Sequence, residues 1–296
     1  SSFLGTKSSG DGNSPARLDL LSLEQTGGTA KSLNSFAREE TESAYKLTYG
    51  WLDYQGNTHF ITFFISKKEL AEAEDEFGYY ELELEEHIEA SVSKMREEMI
   101  VHLRQFVTQL IAKSRYSPYI LIEEVDALNF KLKLSVPPNL YKEAKAEFER
   151  IKARLATEQE PYFKKINKEM EKSRTAFLEK RGLRIIGDKV GVNYQQCALN
   201  NRPRVKQVVE EMVKKNESLT LNQFVALMLA FIQEVMYGTP PLKMVDKVIL
   251  GFFVPSRVLV EDYGDCDSKG VTFASLWTNF KNYPIILIRI PNHMFV

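Results

Sequence analysis

The 296-residue chain holds only two cysteines, Cys197 and Cys266, too few to staple a fold of this length with disulfides. No Cys-x-x-Cys or His-x-x-x-His spacing occurs, so no zinc site or other metal is expected. No glycine-rich phosphate loop is present, which argues against nucleotide binding; no cofactor is expected. Charge of one sign is also missing. Lys and Arg total 39 against 40 Asp and Glu, for a formal net charge of -1, so nothing attracts the chain to DNA or RNA. No apolar run reaches the roughly 18 residues of a membrane helix. The longest, Phe224 to Met236, is interrupted by Gln233 and Glu234, and no membrane span is expected.

What is present is enough apolar material for a sizeable core, at 44% of the chain. Residues 1–40 are rich in Ser, Gly, Thr and Asn and read as a flexible lead, because they bury too little surface to offset their ordering entropy. From Tyr45 to Ile65 the pattern is that of a β-hairpin: Tyr45, Leu47 and Tyr49 alternate with polar residues, and Gln55-Gly56-Asn57 supplies the turn. Trp51 is expected as a core aromatic of that sheet. The period then changes. Ile88, Val92, Met95, Met99, Leu103, Phe106 and Leu110 recur at helical steps, which predicts an amphipathic helix ending near Ser114. Tyr119 to Val125 and Asn129 to Val136 read as strands.

Leu140 to Lys180 is charged and helical, with one stripe at Phe148, Ile151 and Leu155 and another at Phe163, Ile166, Met170 and Phe177. Pro161 between them predicts a break or kink. The charged residues read most simply as a solvated face, and the arm is a candidate protein contact. Gly182 and Gly187 mark a shift to mixed composition, with helices expected over Asn201 to Lys215 and Leu221 to Met236. The resulting organisation is a lead (1–40), an α+β domain (41–136), a charged helical arm (137–185) and a C-terminal domain (186–296), dividing near residue 185.

Chemistry concentrates in Val258 to Val296. Gly264 permits a tight turn, and Cys266 then opens an apolar helix, whose N-terminus favours a thiolate and lowers the thiol pKa. Lys281 to Ile290 reads as a buried strand leading to His293. A helix, a turn and a strand fit between Cys266 and His293 and bring an imidazole to the sulfur, the arrangement that nucleophilic acyl transfer uses. A lone cysteine and a lone histidine are more often structural. The charged neighbours Asp265, Asp267 and Lys269 favour an accessible turn over a core position.

Gly264-Asp265-Cys266-Asp267-Ser268-Lys269 resembles the Gly-Asp-Cys-Glu-Asp-Lys signature of bacterial transglutaminase-like proteins. Pro291-Asn292-His293-Met294-Phe295-Val296 resembles their Gly-His-Met-Ala-Val ending. Phe231-Ile232-Gln233-Glu234-Val235-Met236-Tyr237 resembles their Phe-Val-Gln-x-x-x-Tyr helix end. Pro255 to Leu259 resembles Pro-x-Glu-Thr-Leu, with Arg257 and Val258 departing. Val192-Asn193-Tyr194 fits the lead-in to such domains, and Trp51 to Phe63 resembles a preceding Trp-x-Tyr-x-Gly β-segment.

The resemblance covers about 190–296 and implies an α+β protein whose C-terminal part is a papain/transglutaminase-like cysteine domain. It implies a Cys-His-Asp triad with Cys266 as nucleophile and His293 as base. The acid normally lies on the strand after the histidine, and this chain ends at Val296. Asp265 and Asp267 are not assigned that role; Gln233 and Tyr237 are weaker candidates for oxyanion support. The reaction implied is acyl transfer on protein or peptide amides through a thioester. Hydrolysis, as protease or deamidase, is favoured over cross-linking because water needs no second recognition site. The alternative is a catalytically inactive module of the same fold that binds other proteins. Because the chain begins at Ser1 rather than Met, either a trimmed N-terminus or a start inside a longer protein is expected, and a bacterial envelope or secreted location is one option if a signal was removed.

Overall fold

The computed structural model describes residues 35–126, 129–281, 284–290 and 293–295. They form a mixed α+β protein in which helix dominates. Most of the expected flexible lead, residues 1–34, lies outside the described residues. Its last six residues are a strand instead: β1 (Ser35–Glu40) pairs antiparallel with β2 (Ala44–Leu52), which pairs with β3 (Thr58–Ser66). Side chains of β1 stay largely exposed; backbone pairing with β2, the half-buried Phe36 against the Tyr49 ring and Arg38 donating to Val260 O hold it in place.

The β2–β3 hairpin follows its pattern. Leu47 lies opposite Phe63 and Tyr49 opposite Ile61, and with Trp51 they share one buried face, as a period of two requires. Asp53 organises the turn. Its Oδ1 accepts the backbone N–H groups of Gln55 and Asn57, each at 2.9 Å, and its Oδ2 lies 3.0 Å from His59 Nε2. Burial works against the carboxylate, but the bonds from His59, Asn57 and Gln55 outweigh it and hold the acid at about 2. An unfolded aspartate titrates near ~3.9. The turn therefore stabilises the fold fully above about pH 4 and loses that contribution as pH falls toward about 2. Urea midpoints measured from pH 5 to pH 2 should fall less steeply in Asp53→Asn than in the parent chain.

After α1 (Lys67–Glu76) and β4 (Tyr79–Tyr80) comes α2 (Glu81–Ala112), then a hairpin of β5 (Ile120–Asp126) and β6 (Asn129–Leu134), then α3 (Tyr141–Lys180). At 1.5 Å per residue these helices are about 48 and 60 Å long. They run antiparallel. Val92, Met99 and Leu103 meet Ile166, while Val107 and Ile111 meet Ala144 and Ile151 farther along, beside the β5–β6 hairpin. His102 Nε2 bridges to Glu158 at 2.7 Å between them. The expected arm is thus a two-helix arm, and half of it is the helix that the sequence places in the N-terminal domain. The expected break at Pro161 is absent: α3 runs unbroken through it. Ile151 and Leu155 before the proline, and Tyr162 and Ile166 after it, all pack in the arm's interior, so packing holds the helix where the proline removes one hydrogen bond.

The remaining elements are β7 (Leu183–Ile186), β8 (Lys189–Val192), α4 (Tyr194–Asn201), α5 (Lys206–Lys215), α6 (Leu221–Glu234), β9 (Met236–Tyr237), β10 (Lys243–Met244) and β11 (Lys247–Val248). The chain continues through α7 (Pro255–Glu261), β12 (Tyr263–Gly264), α8 (Cys266–Phe280), β13 (Ile288–Ile290) and β14 (His293–Phe295). The capping box Thr220–Gln223 starts α6 where the sequence places a cap.

The expected division near residue 185 does not divide the core. Gly182 and Gly187 are turn positions with φ of 69° and 63°, one just after α3 and one between β7 and β8. Across them a single core joins the first sheet to the C-terminal helices. Tyr49 and Trp51 of β2 each lie 5.2 Å from the ring of Phe231 on α6. The Tyr49 hydroxyl donates to Leu259 O at 2.6 Å, and Lys215 Nζ donates to Phe60 O at 2.9 Å. The 41–136 segment therefore splits, its sheet joining the 186–296 helices and its long helix joining the arm. Periodicity reveals an apolar face but not which element will cover it. Among the described residues no helix is long and apolar enough to cross a membrane.

Candidate active site

Cys266 occupies the first position of α8, and the residues before it fix the entry. Asp262 ends α7 in the left-handed region at φ 53°, which a short polar side chain tolerates. The chain then runs as β12 parallel to β9, with Tyr263 opposite Met236 and Gly264 opposite Tyr237. Gly264 was expected to supply a turn. Its value is close approach instead: a Cβ there would sit 3.1 Å from Ser268 Cβ and 3.3 Å from Val258 Cγ2. Asp265 caps α8, its Oδ1 accepting the Ser268 N–H at 2.9 Å. Burial pushes the Asp265 acid up, against the pull of that cap.

The polar residues after the cysteine anchor the helix. Ser268, fully buried, accepts the Phe253 N–H at 3.0 Å through its Oγ. Lys269 donates to Gln233 O at 3.1 Å and to Val235 O at 2.5 Å, placing a cation on the end of α6. Burial lowers the pKa of this amine. The lysine of the Gly-Asp-Cys-x-x-Lys pattern thus ties the cysteine helix to the helix that carries Gln233. Lys269→Met leaves two helix-end carbonyls without their charged donor and should cost about 1–3 kcal/mol in urea denaturation.

The Cys266 side chain is half-buried. Its Sγ lies 3.5 Å from Asp267 Oδ1, and the backbone N–H of Met294 on β14 is near enough to favour the thiolate. Asp267 Oδ2 in turn accepts the hydroxyl of Tyr194, near the start of α4. Burial raises the thiol pKa first; the Met294 N–H lowers it, and the charges and hydrogen bond of Asp267, with Asp265, raise it further. The low thiol pKa expected from a helix N-terminus is therefore not what these surroundings give. The positive end of α8 is opposed by two carboxylates within one residue of the sulfur.

His293 stands on β14, opposite Ile290 in the β13–β14 ladder, with its side chain exposed. Among the described residues of the expected buried strand over Lys281 to Ile290, only Ile288–Ile290 is strand, and Ile286, Ile288 and Ile290 are 72%, 54% and 45% exposed. The next residue after His293 does the packing: Met294 is buried in the main core against α8. Cys266 and His293 are thus brought onto adjoining elements. The roles of Met294, Asp267 and Tyr194 escaped the sequence reading. The one trace of them was the lead-in Val192-Asn193-Tyr194, where Asn193 caps α4.

The other candidates take structural places. Gln233 Oε1 accepts the Tyr54 hydroxyl at 2.8 Å, while Tyr237 is 73% exposed beside Gly264. Arg257, a departure from the resembled pattern, joins Glu74 of α1 at 3.2 Å and Glu261 at 3.1 Å. Val258 is core. Cys197 is buried, 3.6 Å from Gly182 O, and burial pushes its thiol up to about 12. Among the described residues no group of three or more His, Cys, Asp and Glu side chains gathers as a metal site. No family model matches the chain, and no curated protein or solved structure matches it.

Proposed function

We propose that this protein is a cysteine-dependent hydrolase of protein or peptide amides, built on a papain/transglutaminase-like arrangement in its C-terminal part. The observation that carries the reading is Cys266 at the start of an apolar helix, with β14, the strand of His293, packed against that helix. His293 takes the thiol proton as the sulfur attacks the substrate carbonyl carbon. The imidazolium then gives that proton to the nitrogen as the C–N bond breaks, leaving a thioester on Cys266. Water, deprotonated by His293, attacks the thioester; the acid departs and the proton returns to sulfur. The backbone N–H of Cys266, at the first position of α8, is the candidate to hold the oxyanion. Water is favoured over a lysine amine because cross-linking requires a second chain to be admitted and water held off.

A second reading, a non-catalytic module that binds other proteins, is favoured by one observation: burial and Asp267 both hold the thiol protonated. Incubation with a peptide library and with a fluorescent primary amine, against a Cys266→Ala control, separates the two. Cleavage or ammonia release that vanishes in the control is the expected result. Dominant amine incorporation overturns the choice of water, and no activity of either kind favours the binding module.

A further inference from the structure

Resting on that reading of Cys266, we infer that Asp267 is a positioning residue that holds the resting nucleophile as a protonated thiol, with Tyr194 fixing the carboxylate in place. The geometry is a relay of three side chains. The Cys266 S–H donates to Asp267 Oδ1 at 3.5 Å, and the opposite oxygen, Oδ2, accepts the Tyr194 hydroxyl from α4. With one oxygen claimed by a phenol on a packed helix, the carboxylate keeps its other oxygen toward the sulfur. A carboxylate accepting from a thiol stabilises the S–H form and disfavours a thiolate at the same place. The Met294 N–H approaches the same sulfur and favours the thiolate.

The sulfur therefore sits between an acceptor that keeps its proton and a donor that welcomes its charge. Attack requires the S–H to leave Asp267 and give its proton to the imidazole of His293, and the nearby Met294 N–H favours the resulting thiolate. Other charged and titratable groups stand near this end of α8: Asp265 caps it, Lys269 lies one turn along, and the strands of His293 (β14) and Tyr263 (β12) pack on the helix. Asp267 is the carboxylate bonded to the sulfur itself. A purely structural Asp267 would serve only to anchor Tyr194 and α4, and its replacement would leave the ionisation of the thiol alone.

The test is the pH dependence of iodoacetamide alkylation at Cys266, read by mass spectrometry on the whole chain, with Cys197 as an internal gauge of folding. The parent chain should give a midpoint above the ordinary cysteine value of about 8.5. Asp267→Asn, which still accepts the Tyr194 hydroxyl, should lower the midpoint by about one pH unit. Asp267→Glu, which keeps the charge, should stay with the parent. A midpoint unmoved or raised in Asp267→Asn, or lowered equally in Asp267→Glu, overturns the proposal. If Asp267→Asn exposes Cys197, Asp267→Ser takes its place: a midpoint below the parent's supports the proposal, and one at or above it, or a parent midpoint below about 8.5, overturns it. The measurement needs no turnover. A shifted midpoint with no amide hydrolysis would sink the proposed function and leave this inference standing.

Discussion

Iodoacetamide at neutral pH should modify Cys266 at least a hundredfold faster than Cys197 in the folded chain. The thiolate is the reacting form, so the thiolate fraction and access to the sulfur set the rate. Cys197 fails on both counts. It lies in the main core beneath Gly182, and burial pushes its thiol up to about 12, so at neutral pH only about one molecule in 10⁵ carries the thiolate. Its labelling must wait for the core to open, which makes its rate a measure of stability rather than of chemistry. Cys266 is half-exposed, and although burial and Asp267 raise its thiol, the Met294 N–H acts in the opposite direction. Faster labelling of Cys197, or equal rates at the two positions in a chain shown to be folded, would remove Cys266 as the nucleophile.

That contrast was legible in the sequence because both halves of it are local. Cys266 follows a capping aspartate and opens an apolar run, so its place at a helix start can be read from neighbours three residues away. Cys197 stands in Gln-Gln-Cys-Ala-Leu with no turn and no base beside it. The β2–β3 hairpin was legible for the same reason, its alternation and its turn being contiguous. What sets the ionisation of Cys266 is not local. Tyr194 reaches Asp267 from α4, and the Met294 N–H arrives from β14, on elements whose own patterns carry no sign of where they dock. The sequence therefore yields the place of Cys266 at a helix start and misjudges its thiol.

Similar reasoning explains the arm. The stripe from Ile88 to Leu110 identifies a helix with one apolar face, and the stripes after Leu140 identify another. Each face is satisfied by the other helix, and neither stripe names its partner. Pro161 reads as a break because the local cost is visible, whereas the compensating packing of Leu155, Tyr162 and Ile166 comes from α2. β1 was missed for the opposite reason: it buries little and is held by the backbone of β2, the Tyr49 ring and Val260 O.

Phe231→Ala should cost about 3–5 kcal/mol and should weaken the first sheet and the C-terminal helices together. Phe231 is fully buried on α6, and its ring meets both Tyr49 and Trp51 of β2 edge-on at 5.2 Å. Truncation removes a large apolar group and leaves a cavity that the sheet and helix can close only by moving toward each other, which is why the cost exceeds that of transfer alone. The chain carries its own probes for this claim. Its two tryptophans sit in the same core but on opposite sides of residue 185, Trp51 in β2 and Trp277 in α8, and Phe224 and Phe280 continue the packing from α6 to Trp277. In Trp51→Phe and Trp277→Phe backgrounds the remaining indole reports one side at a time. In each parent background urea unfolding followed by the remaining indole should coincide with unfolding followed by far-UV circular dichroism, and Phe231→Ala should lower the two midpoints by the same amount. A chain built of separate units on either side of residue 185 would behave otherwise: Trp51 would lose its native emission at a lower urea concentration while Trp277 kept its own, and Phe231→Ala would move one midpoint and leave the other in place.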